Sequence, residues 1–242
     1  MAKERRKIIQ AGSLWMAVQY TAIRGPDQAA RREARTQISS PARESLNAKL
    51  SWQKLMLILA ANFRSNDLVV TFTYRDENLP IRREAADRRL DYLIRNLRAC
   101  RREDGKPLVY VRITEGYHSG GRLHHHLIIN ATGKDYAILC DLWRRDGDNV
   151  DFEAFGPDGA ERWAKYLTKE PREKGRRYVG DRTWRTSRNV IRPTAVSEWV
   201  DADDILTPPP GAFITDRAQC ENCYGRFSYM MARLPETTIE HP

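Results

Sequence analysis

Pro107-Leu-Val-Tyr-Val-Arg-Ile-Thr-Glu115, the glycine-bearing stretch Gly116 to Gly121, and Arg122-Leu-His-His-His-Leu-Ile-Ile-Asn130 read together as two strands joined by a turn. β-Branched and aromatic residues fill both flanks, and the glycines between them supply turn chemistry. Side chains alternate across a strand, so His124 and His126 project to one face while His125 joins Leu123, Leu127 and Ile129 on the other. A turn centred near Ser119 and Gly120 places Glu115 directly across from His124, on the same face. Two imidazoles and a carboxylate with open positions suit a divalent cation, Mn²⁺ or Mg²⁺, without the thiolates that argue for structural zinc. His125 reads as a hydrogen-bonded core residue and His118, in the turn, as surface.

Upstream, Leu68-Val-Val-Thr-Phe-Thr-Tyr74 reads as a strand, ended by turn chemistry from Asp76 to Pro80. Arg82 to Arg102 follows as a helix, with Ala86, Leu90, Leu93, Ile94 and Leu97 in a stripe and arginines covering a solvated opposite side. Downstream, Lys134 to Arg145 is a helix, Asn149 to Phe155 a strand, and Gly159 to Glu170 a helix that Pro171 stops. The order β-α-β-β-α-β-α, with paired strands rather than strict alternation, points to an α+β fold: a central antiparallel sheet flanked by helices. Residues 66–195 form this domain. Residues 1–65 read as a basic helical N-terminal extension, with Ser45 to Phe63 its best helix and Lys3-Glu-Arg-Arg-Lys7 a mobile arm. Residues 196–242 read as a C-terminal extension entered through Pro208-Pro-Pro210.

The last helix of the domain carries Trp163-Ala-Lys-Tyr166-Leu-Thr-Lys169. Tyr166 and Lys169, three residues apart, share a helix face. A tyrosine attacks phosphorus when a base, a cation or a metal-polarised phosphate offsets its high pKa, and its product is a covalent phosphotyrosine. The bland reading, an aromatic residue in a helix core, fits Trp163 and Leu167 equally well.

Arg122-Leu-His-His-His-Leu-Ile-Ile129, preceded by Val70-Thr-Phe-Thr73 and Glu115 and followed by Tyr166-Leu-Thr-Lys169, resembles the HUH endonuclease superfamily, and within it the rolling-circle replication initiators of phage and plasmid type. The motifs span Leu68 to Glu170, and Ser187-Arg-Asn189 resembles the segment after the tyrosine helix. His125 stands where that family normally has a hydrophobic residue. The resemblance implies Tyr166 as nucleophile, His124 and His126 as metal ligands, Glu115 as third ligand and Lys169 as supporting cation. It implies nicking and rejoining of single-stranded DNA through a 5′-phosphotyrosine. Single-tyrosine transposases and mobilisation relaxases share this constellation, and a non-catalytic nucleic-acid-binding protein would keep the fold without needing Tyr166.

Composition agrees with a polyanionic partner. The 242 residues carry 41 Lys and Arg against 32 Asp and Glu, a formal charge of +9. Between Arg172 and Arg192, Lys174, Arg176, Arg177, Arg182, Arg185 and Arg188 alternate with Tyr178 and Trp184. Cations for phosphates and rings for bases are the pairing expected of a groove that binds single-stranded DNA or an origin hairpin; a solvated basic face is the alternative. No GxxxxGK[ST] loop occurs, so the expected partners include a separate helicase and a polymerase. Among four cysteines only Cys220 and Cys223 are paired by spacing, too little to assign zinc. No run of about 18 apolar residues predicts a membrane span, and the expected location is the cytoplasm.

Overall fold

Two periodicities, alternation in the strands and the 3.6-residue stripe in the helices, lead here to two five-stranded antiparallel sheets and four helices. The computed structural model describes residues 3–21, 41–102, 105–116, 122–169, 184–222 and 225–235, and of 41–48 and 222 the backbone alone. In chain order the elements are β1 (Lys3–Ala11), β2 (Leu14–Thr21), α1 (Pro41–Asn62), β3 (Leu68–Thr73), α2 (Arg83–Arg102), β4 (Tyr110–Glu115) and β5 (His124–Ile129). Then come α3 (Asp135–Trp143), β6 (Asn149–Ala154), α4 (Gly159–Leu167), β7 (Trp184–Thr186), β8 (Val196–Asp201), β9 (Phe213–Asn222) and β10 (Gly225–Arg233). Among the described residues no helix is long and apolar enough to cross a membrane.

The chain divides into two units, Ser40–Ile191 and the pair Met1–Ser39 with Arg192–Pro242. In the first, the strand order is β6-β3-β5-β4-β7, every pair antiparallel. The histidine strand is therefore central. One face of the sheet packs Val70, Phe72, Leu127 and Ile129 against the α2 stripe (Ala86, Leu90, Leu93, Ile94, Leu97) and against Leu139 and Trp143 of α3. Each fully buried aliphatic side chain contributes about 1.5–3 kcal/mol, so this stripe outweighs the helix propensity of any single residue in α2. On the other face α4 brings Tyr166 onto His126, and α1 packs along α4 and receives the Trp184 indole N–H at Ser51. The sheet is thus flanked by helices, as the sequence implies.

The arginines of α2 depart from the expected solvated side at one position. Arg101 is buried, and its guanidinium donates to both carboxylate oxygens of buried Asp135, at 2.9 and 2.6 Å, and to the carbonyl and side-chain oxygens of Asn130. A planar five-donor fork can be buried when every donor direction meets an oxygen.

The N-terminal extension is not helical over Lys3–Thr21. Those residues form the β1–β2 hairpin, because Ile8, Ile9, Val18 and Tyr20 favour strands and Gly12, at φ 57°, turns the chain between Ala11 and Leu14. The Lys3–Lys7 cluster belongs to this hairpin and is not an arm. Helix α1 is helical as expected, starts on a proline at its first position, and lies in the Ser40–Ile191 unit. The C-terminal segment supplies β8, β9 and β10, which complete a sheet of order β8-β1-β2-β10-β9. Trp15, Ala17, Leu206 and Ala232 form its core.

Candidate metal centre and its tyrosine

Glu115 ends β4 and His124 begins β5, and the two are cross-strand partners, the register that a turn centred at Ser119 and Gly120 requires. Gly116 follows at φ 92°, and a Cβ there would lie 2.1 Å from the Arg122 carbonyl oxygen, so only glycine lets the strands close directly beyond the Glu115–His124 pair. Arg122 is itself held by Asp76 and by the Tyr74 carbonyl, which fixes the entry to β5.

Glu115 Oε2 lies 3.5 Å from His124 Nε2 and 3.5 Å from His126 Nε2. The three ligand atoms lie within 4.8 Å of one another, a group that can hold a metal ion. Hydrogen bonds on the far side of each ring aim these nitrogens inward. His124 Nδ1 bonds the Arg122 carbonyl at 2.9 Å. A carbonyl only accepts, so Nδ1 carries the proton and the neutral ring has its lone pair on Nε2. His126 Nδ1 bonds the Thr71 hydroxyl at 3.0 Å, the same outward engagement. Buried His126 Nε2 and Glu115 Oε1 have no hydrogen-bond partner among the described residues. Orphaned acceptors of this kind cost stability unless a cation meets them, and nitrogen with oxygen donors fits a divalent ion. Burial alone raises the Glu115 carboxyl, but the bonds and charges of His124 and His126 outweigh it and hold the group at about 2, ionised at neutral pH.

His125 points into the opposite face and is engaged on both nitrogens. Its Nδ1 lies 2.9 Å from Thr114 Oγ1, and its Nε2 lies 2.7 Å from the Tyr74 hydroxyl. The Thr114 hydroxyl spends its proton on Asp87 Oδ1 at 2.9 Å, so it accepts from His125 Nδ1–H, and Tyr74 donates to Nε2. Burial, then the nearby charge of Arg112, depresses the imidazole to about 3, and burial raises the Tyr74 phenol. His125 is therefore a neutral core residue, as its place on the strand predicts.

Tyr166 is 48% exposed, and its ring stands edge-on to His126 at 5.6 Å between centroids and to Trp163 at 5.8 Å. Trp163, Ala164 and Leu167 take the buried positions of α4, which turns Tyr166 out of the core and toward the cluster. Lys169 is exposed and lies two residues beyond the end of α4.

The proposed DNA groove divides. Arg172, Lys174, Arg176, Arg177, Tyr178 and Arg182 lie outside the described residues, as do His118 and Cys223. Trp184 pairs with Ile113, which pairs with His126, so it stands on the face of the metal cluster, half-buried, with its N–H on Ser51 at 3.2 Å. Arg185 projects to the other face, 3.7 Å from Asp87. Arg188 is exposed. Sequence reasoning passed over Thr71 as the residue that orients His126. The signal was present in Val70-Thr-Phe-Thr73, where alternation puts the threonines on the histidine face.

No curated protein and no solved structure matches the chain. A family does match, and it supports a replication-associated role. Residues 67–171, which hold Glu115, His124, His126, Tyr166 and Lys169, match the family described as replication-associated protein ORF2/gene II protein, a family of rolling-circle replication initiators, and the resemblance read from the three motifs is the one found.

Proposed function

We propose that the protein is a rolling-circle replication initiator that nicks and rejoins single-stranded DNA through Tyr166. The observation that carries this reading is the contact between Tyr166 and His126: an accessible phenol stands against an imidazole whose other edge faces Glu115 and His124. Bound at that cluster, Mn²⁺ or Mg²⁺ would supply Lewis-acid polarisation of a phosphate oxygen. His124, His126 and Glu115 hold the ion's place, and Thr71 and the Arg122 carbonyl fix the two rings.

Tyr166 Oη attacks phosphorus and loses its proton, the bond from phosphorus to the 3′ oxygen breaks, and that oxygen leaves as a 3′ hydroxyl after taking up a proton. The 5′ phosphate stays on Tyr166 as a diester. A 3′ hydroxyl returning to the same phosphorus reverses the step and rejoins the strand. Lys169 serves as a cation near the phosphate. A helicase and a polymerase act as separate partners. The replication-associated family favours an initiator over a transposase or relaxase, which share the chemistry.

The test uses single-stranded oligonucleotides from the element that encodes the protein, 5′- or 3′-labelled, with Mn²⁺. Transfer of the 3′-labelled fragment onto protein, lost in Tyr166→Phe and in chelator, is the expected result. Cleavage with no protein-bound label makes water the nucleophile. Binding without cleavage of the true origin leaves a recognition module.

A further inference from the structure

The sheet formed by the two ends of the chain has one face built from cations and aromatic rings. Lys3, Arg5 and Lys7 alternate along β1 and so share a face. Cross-strand pairing carries the Arg5 row through the sheet: Trp199 on β8, Arg5, Tyr20 on β2 and Phe227 on β10. Trp199 is 55% exposed and Phe227 40%. The Arg5 guanidinium lies over the Trp199 ring at 5.0 Å and the Lys7 ammonium over the Tyr20 ring at 5.5 Å.

The acids are sorted away from this face. Glu4 and Glu198 point to the other side, where Arg226 meets Glu4 at 2.9 Å and Arg6 meets Glu198 at 3.6 Å. Asp201 and Asp216, which share the face, sit on the edge strands β8 and β9. Among the described residues no ion pair to a carboxylate engages Lys3, Arg5 or Lys7.

We propose that this face binds single-stranded DNA, with bases stacking on Trp199, Tyr20 and Phe227 and phosphates held by Lys3, Arg5 and Lys7. Sequence-tolerant strand binding needs rings for bases and interleaved cations for phosphates, and a duplex, with its bases already stacked, offers the rings nothing. Trp199 and Phe227 stand three strand spacings apart, about 14 Å, room for more than one base. The face lies outside residues 67–171, so its binding does not depend on the nicking chemistry.

Binding of the full chain to labelled oligo(dT) in chelator, where nicking is silent, tests the proposal by fluorescence anisotropy. Trp199→Ala with Phe227→Ala is expected to weaken binding about tenfold or more. Arg5→Ala with Lys7→Ala is expected to flatten the slope of log affinity on log salt by about 1.4, or 0.7 for each phosphate-binding cation removed. Photocrosslinking of bromodeoxyuridine oligonucleotides to the wild type, independent of any variant's folding, should place adducts in β2, β8 or β10. Unchanged affinity in both variants, equal affinity for duplex, or adducts confined to residues 40–191 would overturn it.

Discussion

The planes of Tyr166 and His126 cross at 82°, so the phenol edge of one meets the imidazole of the other. The two residues come from a helix and a strand 40 positions apart in the sequence. Their contact turns two separately weak motifs into one site, because a nucleophile is useful only within reach of the groups that polarise its target.

Tyr166→Phe keeps that ring contact and removes only the oxygen. Nicking should fall by at least about 10³-fold, as expected when the attacking atom is deleted. Because the side chain is half exposed, stability should stay within about 0.5 kcal/mol of wild type. Gel transfer of label and a thermal melt, run on the same preparation, check both parts. A variant that still forms a protein–DNA adduct would assign the nucleophile elsewhere.

The orphaned His126 Nε2 and Glu115 Oε1 make metal binding measurable without any DNA. Mn²⁺ at a hundredfold excess over its Kd should stabilise the wild type by about 2.7 kcal/mol, seen as a rise in Tm. His126→Ala and Glu115→Gln should lose that rise. Thr71→Val, which removes the oxygen on His126 Nδ1, should weaken metal affinity about tenfold or more while leaving all three ligands in place. An equal rise in Tm for His126→Ala would place the ion outside this cluster.

The hairpin, its register and the face shared by Glu115, His124 and His126 were legible because strand alternation and turn position are local and together fix a cross-strand pair. Tyr166 was legible only through resemblance, since nothing in Trp163–Lys169 alone says which aromatic residue faces the core. The second sheet was not legible. β1 joins β8 nearly 200 residues later, and β9, Phe-Ile-Thr-Asp-Arg-Ala-Gln-Cys-Glu-Asn, has little apolar alternation of its own. Such strands are set by partners that no local window contains. Buried Arg101 escaped for a similar reason: its acid partner sits in the next helix, 34 residues on.

Arg101 is predicted to be among the more sensitive positions in the first unit. Its removal leaves Asp135 buried and ionised beside an unpaired Asn130 oxygen, so Arg101→Ala should cost about 3–5 kcal/mol. Arg101→Lys keeps the charge and loses the fork, and should fall between the two. Urea midpoints at constant slope measure this. A cost below about 1 kcal/mol would mean that water replaces the guanidinium.

His125 gives the stability a pH dependence of defined sign. Its folded pKa, about 3, lies below the ordinary value of 6.5, because burial disfavours the charged ring and the charges of Arg112, His124, His126 and Arg83 add to the effect. The unfolded chain therefore binds a proton at this residue between pH 6.5 and 3 that the folded chain does not. The contribution is complete above 6.5 and is lost as pH falls toward 3, at about 1.4 kcal/mol per pH unit in the steep part. Glu115, held at about 2 against 4.5, adds a loss of the same sign, but only below 4.5. Between pH 6.5 and 4.5 the difference between wild type and His125→Gln thus isolates the histidine. Denaturant melts in chelator should show the wild type losing stability faster than the variant across that window. Parallel curves would mean that His125 takes up a proton in the folded state, and that the Tyr74–His125–Thr114–Asp87 chain opens to admit it.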